Sequence, residues 1–280
     1  MSNAAFADDD YFPSVALVYM SDWMAETFQL RLSFSETAIR PDLREVTDAS
    51  YQDPITNELV SGNPDVIPST VESIDLRAEW FFANGNSFTV SLFNKEIADP
   101  IEYFESPASD TKTAREIINA DETSIQGIEL DGVLALGFLG AWGERMFLQG
   151  NATFQDTETT AGPNADSPTN DVRPATGASD YVVNLMAGFG SLDGRHSANL
   201  LFNVFGERLY VAGRLGAPDG YEQPFHSLDV NYSFYPSDSW TVKLKVQNIL
   251  DETVEIRRAG IVTFSEAPGM AVSLKVKYDF

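Results

Sequence analysis

The chain reads as all-β, and more narrowly as an antiparallel transmembrane β-barrel. Three observations carry that reading. Apolar and polar residues alternate through nearly every extended stretch, the connections are short and long by turns, and all four tryptophans gather at one end of the strands so arranged. A soluble sheet also alternates, with its apolar face on a core. Repetition at similar length, aromatic ends and connections in strict register belong instead to a barrel that is apolar toward lipid and polar toward its lumen.

The last stretch, Gly269 to Phe280, has the clearest pattern. Met270, Val272, Leu274, Val276, Tyr278 and Phe280 share one face, and Ala271, Ser273, Lys275, Lys277 and Asp279 the other, because successive strand side chains point to opposite sides. Ten earlier stretches are expected to be strands. The first two are Tyr11 to Tyr19 and Thr27 to Thr37, the second with Phe28, Leu30, Leu32 and Phe34 opposite Gln29, Arg31, Ser33 and Ser35. The third, Val71 to Phe82, sets Ile74, Leu76, Ala78, Trp80 and Phe82 against Asp75, Arg77 and Glu79. The turn Ala83-Asn84-Gly85-Asn86 is a hairpin signal leading into Ser87 to Ile97. Then come Ile125 to Leu139, Met146 to Thr157, Asp180 to Gly190, His196 to Leu209, Phe225 to Tyr235 and Trp240 to Leu250.

Short connections are expected at 20–26, 83–86, 140–145, 191–195 and 236–239, and long polar ones at 38–70, 98–123, 158–179, 210–224 and 251–268. Outer-membrane barrels have this asymmetry, with short periplasmic turns and long extracellular loops. Trp23, Trp80, Trp142 and Trp240 all lie at the short-turn end, which places a periplasmic aromatic girdle at the headgroup level, where an apolar ring and a polar N–H are both accommodated.

Composition narrows the function. The 280 residues contain no cysteine, which excludes a disulfide framework and any thiolate site. A formal net charge of −24 argues against nucleic acid as a partner. No run of about 18 apolar residues is present, so no helical span is implied. Met1-Ser2-Asn3-Ala4 has neither basic region nor apolar run, and Ser2-Asn3-Ala4 looks like a cloning remnant. Residues 1–10 are expected to be a disordered or cloning-derived terminus, with Asp8, Asp9 and Asp10 read as solvated rather than as a cation site.

Several stretches resemble TonB-dependent outer-membrane receptors, specifically the C-terminal half of their barrel. They are Phe34 to Glu45, Gly62-Asn63-Pro64-Asp65-Val66-Ile67-Pro68, Gly127-Ile128-Glu129-Leu130-Asp131, Gln247-Asn248-Ile249-Leu250-Asp251 and the closing Tyr278-Asp279-Phe280. The resemblance covers nearly all of residues 11–280. It implies a barrel of about 22 strands with a plugged lumen, of which about eleven are legible here, with the plug and its TonB-contacting segment without counterpart. It also implies bacterial outer-membrane lipid and the TonB complex as partners. The cargo would be a scarce nutrient: a ferric siderophore most commonly, an oligosaccharide or cobalamin otherwise. No cofactor is implied. Tyr278 and Phe280 would form the C-terminal barrel-assembly signal.

Catalysis finds little support. His196 and His226 each precede a serine at the start of an expected strand, but adjacency does not supply triad geometry, and no nucleophile elbow, phosphate loop or metal spacing is present. Lys243, Lys245, Lys275 and Lys277 should face the lumen on adjacent strands and form a plug-docking patch, or else a charged wall partnered by Asp229 and Asp279. For ligand capture the candidates are Tyr51, Tyr103, Phe104, Tyr210, Arg214, Tyr221, Arg257 and Arg258, since aromatic faces stack on sugars or chelates and arginine grips carboxylates. Acidic loops repel a free anion within about 8 Å at physiological salt, which keeps a neutral sugar open. The competing readings are a passive porin, with an open lumen, and a soluble β-sandwich binding module, with its apolar faces buried.

Overall fold

The structure is a computed structural model that describes residues 11–52, 59–109 and 112–280; the expected terminus 1–10, with its aspartates, lies outside them. Eleven strands run in sequence order through one antiparallel sheet, and a twelfth, the two-residue Val172–Arg173, pairs beside the end of the sixth. The eleven are β1 (Ser14–Ser21), β2 (Thr27–Ile39), β3 (Ser69–Phe81), β4 (Ser87–Ala98), β5 (Glu122–Ala135), β6 (Met146–Thr160), β7 (Tyr181–Gly190), β8 (His196–Phe205), β9 (Phe225–Ser237), β10 (Trp240–Gln247) and β11 (Ala271–Tyr278). No helix among the described residues is long and apolar enough to cross a membrane.

The register turns eleven separate alternations into two continuous faces, because directly opposed residues in an antiparallel pair point the same way. Leu134, Leu148, Ala187, Leu200, Val230, Val246 and Val272 form one unbroken row from β5 to β11. Leu32, Leu76, Leu92, Ile128 and Phe154 form another from β2 to β6. The opposite face carries Gln29, Glu79, Thr89, Asp131, Asn151, Asn184, Asn203 and Ser227 in one row from β2 to β9. Within it Asn184 donates to Asn151 at 2.7 Å and accepts from Asn203 at 2.6 Å.

Among the described residues, no layer packs against the apolar face of these strands. Leu274 is 68 % exposed, Val272 62 % and Leu185 52 %, values that no sandwich interior would leave. The enclosed core lies elsewhere: Phe104, Ile117, Leu209, Val60, Val66 and Val211, the largest fully buried apolar side chains, all come from the long connections.

Those connections are structured, which their polar composition did not announce. Ser50–Gln52, Leu59–Ser61, Lys112–Asn119 and Ile101–Ser109 make one small sheet, and Arg208–Val211, Gly220–Glu222, Val254–Arg258 and Ile261–Glu266 make a second. A bridge between Phe104 and Ala212 joins the two. In the first sheet Leu59–Ser61 pairs with Ala114–Glu116 in parallel, and the Phe104–Ala212 bridge is parallel too; the other strand pairings among the described residues are antiparallel.

Most expected boundaries shift by one to four residues, and three of the shifts have a clear local reason. The eighth strand stops at Phe205, since Gly206 gives its N–H to Tyr181 and Arg208–Val211 joins the loop sheet. The fifth ends at Ala135, where two 3-10 turns, Gly137–Leu139 and Gly143–Arg145, take over. The first begins at Ser14, after Pro13.

Two of the stretches carrying the resemblance acquire a physical meaning. At Gly62 a Cβ would lie 2.3 Å from the carbonyls of both Arg44 and Thr47, so only glycine admits that approach. Asn248 sits at φ 49° and is buried. Its N–H meets Asp229 at 2.9 Å, and its side chain holds Glu252 and Gly269, closing the base of the last long connection.

Candidate functional site

The long connections from β2–β3, β4–β5, β6–β7, β8–β9 and β10–β11 are tied together by side chains reaching between them. The hairpin Ile101–Asn119 is the hub. Its Glu102 pairs with Arg173 and also accepts from Thr176; the Arg173 and Glu102 side chains are only 1 % and 7 % exposed. Glu105 pairs with Arg258 at 2.7 Å, Glu116 with Arg214 at 3.8 Å, and Arg115 donates to the Tyr210 hydroxyl while its guanidinium lies 4.4 Å from that ring's centre. Asn119 reaches back to both Ile67 and Asp99. Removing one partner of such a buried pair leaves an uncompensated charge, at a cost of about 3–5 kcal/mol.

The expected ligand residues separate under this geometry. Phe104 is fully enclosed beside Ile118, Ala161, Ala165 and Ala212, which corrects its reading as a surface contact: an alternating hairpin turns one face inward. Tyr103 packs with Tyr51 against a second cluster of Val60, Val66 and Ile117. Burial and the Tyr51 hydroxyl push the Tyr103 phenol up to about 12. Tyr210, Arg214 and Arg258 are each engaged in the inter-loop contacts just described, and Arg214 also pairs with Asp166.

Tyr221 and Arg257 remain together, and they line an open cleft of about 560 Å³ with Thr169, Asn170, Glu207, Gly216, Pro218, Asp219, Gln223, Ala259 and Gly260. Burial, then Asp219 and Glu207, push the Tyr221 phenol up.

Within the wall, the four lysines stand where alternation puts them. Lys243 faces Lys275, Lys245 faces Ser273 and Lys277 faces Thr241, all on the polar side. Asp279 pairs with Lys277 at 2.6 Å. Asp229 does not serve as a lysine partner: its carboxylate accepts from the Asn248 N–H and the Ser227 hydroxyl.

Three of the four tryptophans make ring contacts beside the short turns. Trp23 lies 5.1 Å from Phe28 and 6.3 Å from Trp80, and Trp80 lies 6.0 Å from Phe88. Trp240 meets Tyr278 at 4.8 Å, and Tyr278 meets Phe280 at 5.0 Å. Trp142 is 77 % exposed in its turn.

The two histidines meet aromatic and acidic neighbours. His196 shares a short contact with the Tyr232 hydroxyl at 2.6 Å and stacks on Phe234, and His226 lies 3.5 Å from Glu252. No group of acids and histidines that could hold a metal occurs among the described residues.

Sequence reading missed Glu102, Glu105, Arg115, Arg173 and Asn119. Each lies in a stretch whose polarity matches ordinary loop, and their partners are far away in the chain. Asn248 was visible only as part of a motif.

A family model described as TonB dependent receptor-like, beta-barrel, matches residues 2–249. Among curated proteins, none matches the chain. Solved structures share its fold. The ferric enterobactin receptor PfeA of Pseudomonas aeruginosa aligns with TM-score 0.65 at 16% identity, over 97% of this chain and 40% of its own. The siderophore receptor PirA of Acinetobacter baumannii gives 0.61 at 17%, over 95% and 41%. The copper transporter OprC gives 0.66 at 16%, over 97% and 40%. The chain thus spans about two fifths of the length of these proteins. The matching family is one of transport receptors, not of enzymes. The chain belongs to the TonB-dependent receptor β-barrel family and, with that family, to the bacterial outer membrane.

Proposed function

We propose that residues 11–280 form the C-terminal half of the barrel of a receptor that takes up a scarce small-molecule nutrient under TonB control. One observation carries the reading: eleven strands keep a single apolar face in register and uncovered, while every long connection rises from the same end. That is the arrangement of a wall with lipid on one side and a lumen on the other. The uptake reading comes from the family rather than from any reactive group.

In this account the remainder of the barrel, the plug and the TonB-contacting segment belong to other parts of the receptor. The patch of Lys243, Lys245, Lys275 and Lys277 docks the plug, supported by its net positive charge in a chain of net charge −24. The tethered long connections form the rim that meets the nutrient, and Trp23, Trp80, Trp142 and Trp240 anchor the periplasmic interface.

The experiment is nutrient uptake in cells lacking the receptor, lacking TonB, or neither. Both deletions should abolish it equally. Uptake that survives loss of TonB, together with steady ion conductance by the receptor in planar bilayers, would make it a passive porin.

A further inference from the structure

The cleft between the β6–β7, β8–β9 and β10–β11 connections has a chemistry more specific than its size. Asp219 is buried, and its two oxygens are held by the Gly213 N–H at 2.6 Å and the Asn170 amide at 2.8 Å. Glu207 is exposed and takes one hydrogen bond, from Gln223 at 2.8 Å. The single guanidinium, Arg257, directs Nε and Nη2 at one oxygen of Glu255, at 3.0 and 2.6 Å. Its charge is therefore answered within its own strand. The Tyr221 phenol lines the cleft with no hydrogen-bond partner among the described residues. The ring offers an apolar face, and the hydroxyl is a neutral donor and acceptor whose ionisation burial pushes further up.

These surfaces present acceptors, amides, one phenol and a flat ring, without an unanswered cation. An anion entering would meet Glu207 and Asp219 with nothing to neutralise it. A strongly cationic ligand would find the Asp219 carboxylate already engaged by Gly213 and Asn170, leaving only the exposed Glu207 to receive it. Hydroxyl groups suit the acceptors, and the carbon face of a sugar ring suits Tyr221. A cleft of this size lies within the usual range for small-ligand sites, about 300–1,000 Å³.

We propose that this cleft binds a neutral, hydroxyl-rich ligand, an oligosaccharide, in preference to an anionic iron chelate. The inference rests on the uptake reading and names its substrate class.

The test probes a printed array of neutral, sialylated and amine-bearing glycans with the detergent-solubilised receptor, and measures ferric enterobactin binding in parallel. Neutral glycans should bind, and Tyr221→Ala and Glu207→Gln should each weaken them about tenfold, the equivalent of one lost contact. Arg195→Gln, in the short β7–β8 turn at the other end of the wall, should leave neutral-glycan binding within about twofold. No glycan binding, or binding confined to sialylated or amine-bearing glycans, overturns the proposal. Ferric enterobactin binding that falls with Arg257→Gln overturns the substrate class while the uptake reading stands. Conductance without TonB dependence removes the uptake reading itself.

Discussion

Lys243 stands directly across from Lys275 in the β10–β11 pair, so two ammonium groups occupy one cross-strand site on the polar face. Like charges placed this way oppose pairing by roughly 0.2–1 kcal/mol. Lys275→Gln should therefore raise the thermal midpoint of the receptor's barrel in detergent. Replacing all four lysines by glutamine should have a second effect, faster hydrogen exchange in the plug, because the docking charge is gone. A midpoint that falls with Lys275→Gln, or plug exchange unchanged in the fourfold variant, contradicts the two halves of this prediction separately.

The buried Glu102–Arg173 pair makes a sharper demand. Arg173→Met strands a carboxylate in a desolvated site and should cost about 3–5 kcal/mol of local stability. Adding Glu102→Gln should recover part of that loss, because the stranded charge is removed. Limited proteolysis of the 99–121 and 161–180 connections reads both effects. Equal cleavage in the single and double variants would mean the pair is solvated.

Tyr103 gives a pH dependence of known sign. Its phenol ionises at about 12 in the folded chain, against about 10 unfolded. A raised folded value stabilises fully below the unfolded pKa, and that stability is lost as pH rises from about 10 toward 12. Absorbance titration at alkaline pH should contain a late-ionising tyrosine that Tyr103→Phe removes. If the late amplitude is undiminished in the variant, the assignment fails.

Asn248 combines a left-handed backbone with four hydrogen bonds at the base of the last long connection. Asn248→Ala strains that backbone, by about 1–2 kcal/mol, and deletes the side-chain bonds as well. Asn248→Gly removes the bonds only. Hydrogen exchange across residues 252–269 should rank Ala fastest, Gly intermediate and the parent slowest. Identical rates for Gly and the parent would show that the side chain ties nothing down.

The wall was legible in the sequence and the rim was not, for one physical reason. A strand with one face in lipid must alternate along its whole length, and β2 or β11 advertises this over eight or more residues. The rim strands are as short as three residues, as in Leu59–Ser61, and pair with segments far off in the chain. Their hydrophobic residues turn toward other loops rather than toward lipid, so Phe104, read as a ligand contact, is core. In the candidate site, Tyr221 and Arg257 were found by residue type alone. Residue type also marked Arg214 and Arg258, whose carboxylate partners lie up to 153 residues away.

The central claim is that one face of this sheet touches hydrocarbon. These 280 residues contain no cysteine, so a cysteine carrying a fluorophore is unique within them when placed singly at Leu30, Val90, Val242 and Leu274, and at their neighbours Arg31, Ser91, Lys243 and Lys275. In bilayers of brominated lipid the first set should be strongly quenched and the second should not. Equal quenching of both sets, or quenching of the second alone, would contradict the account.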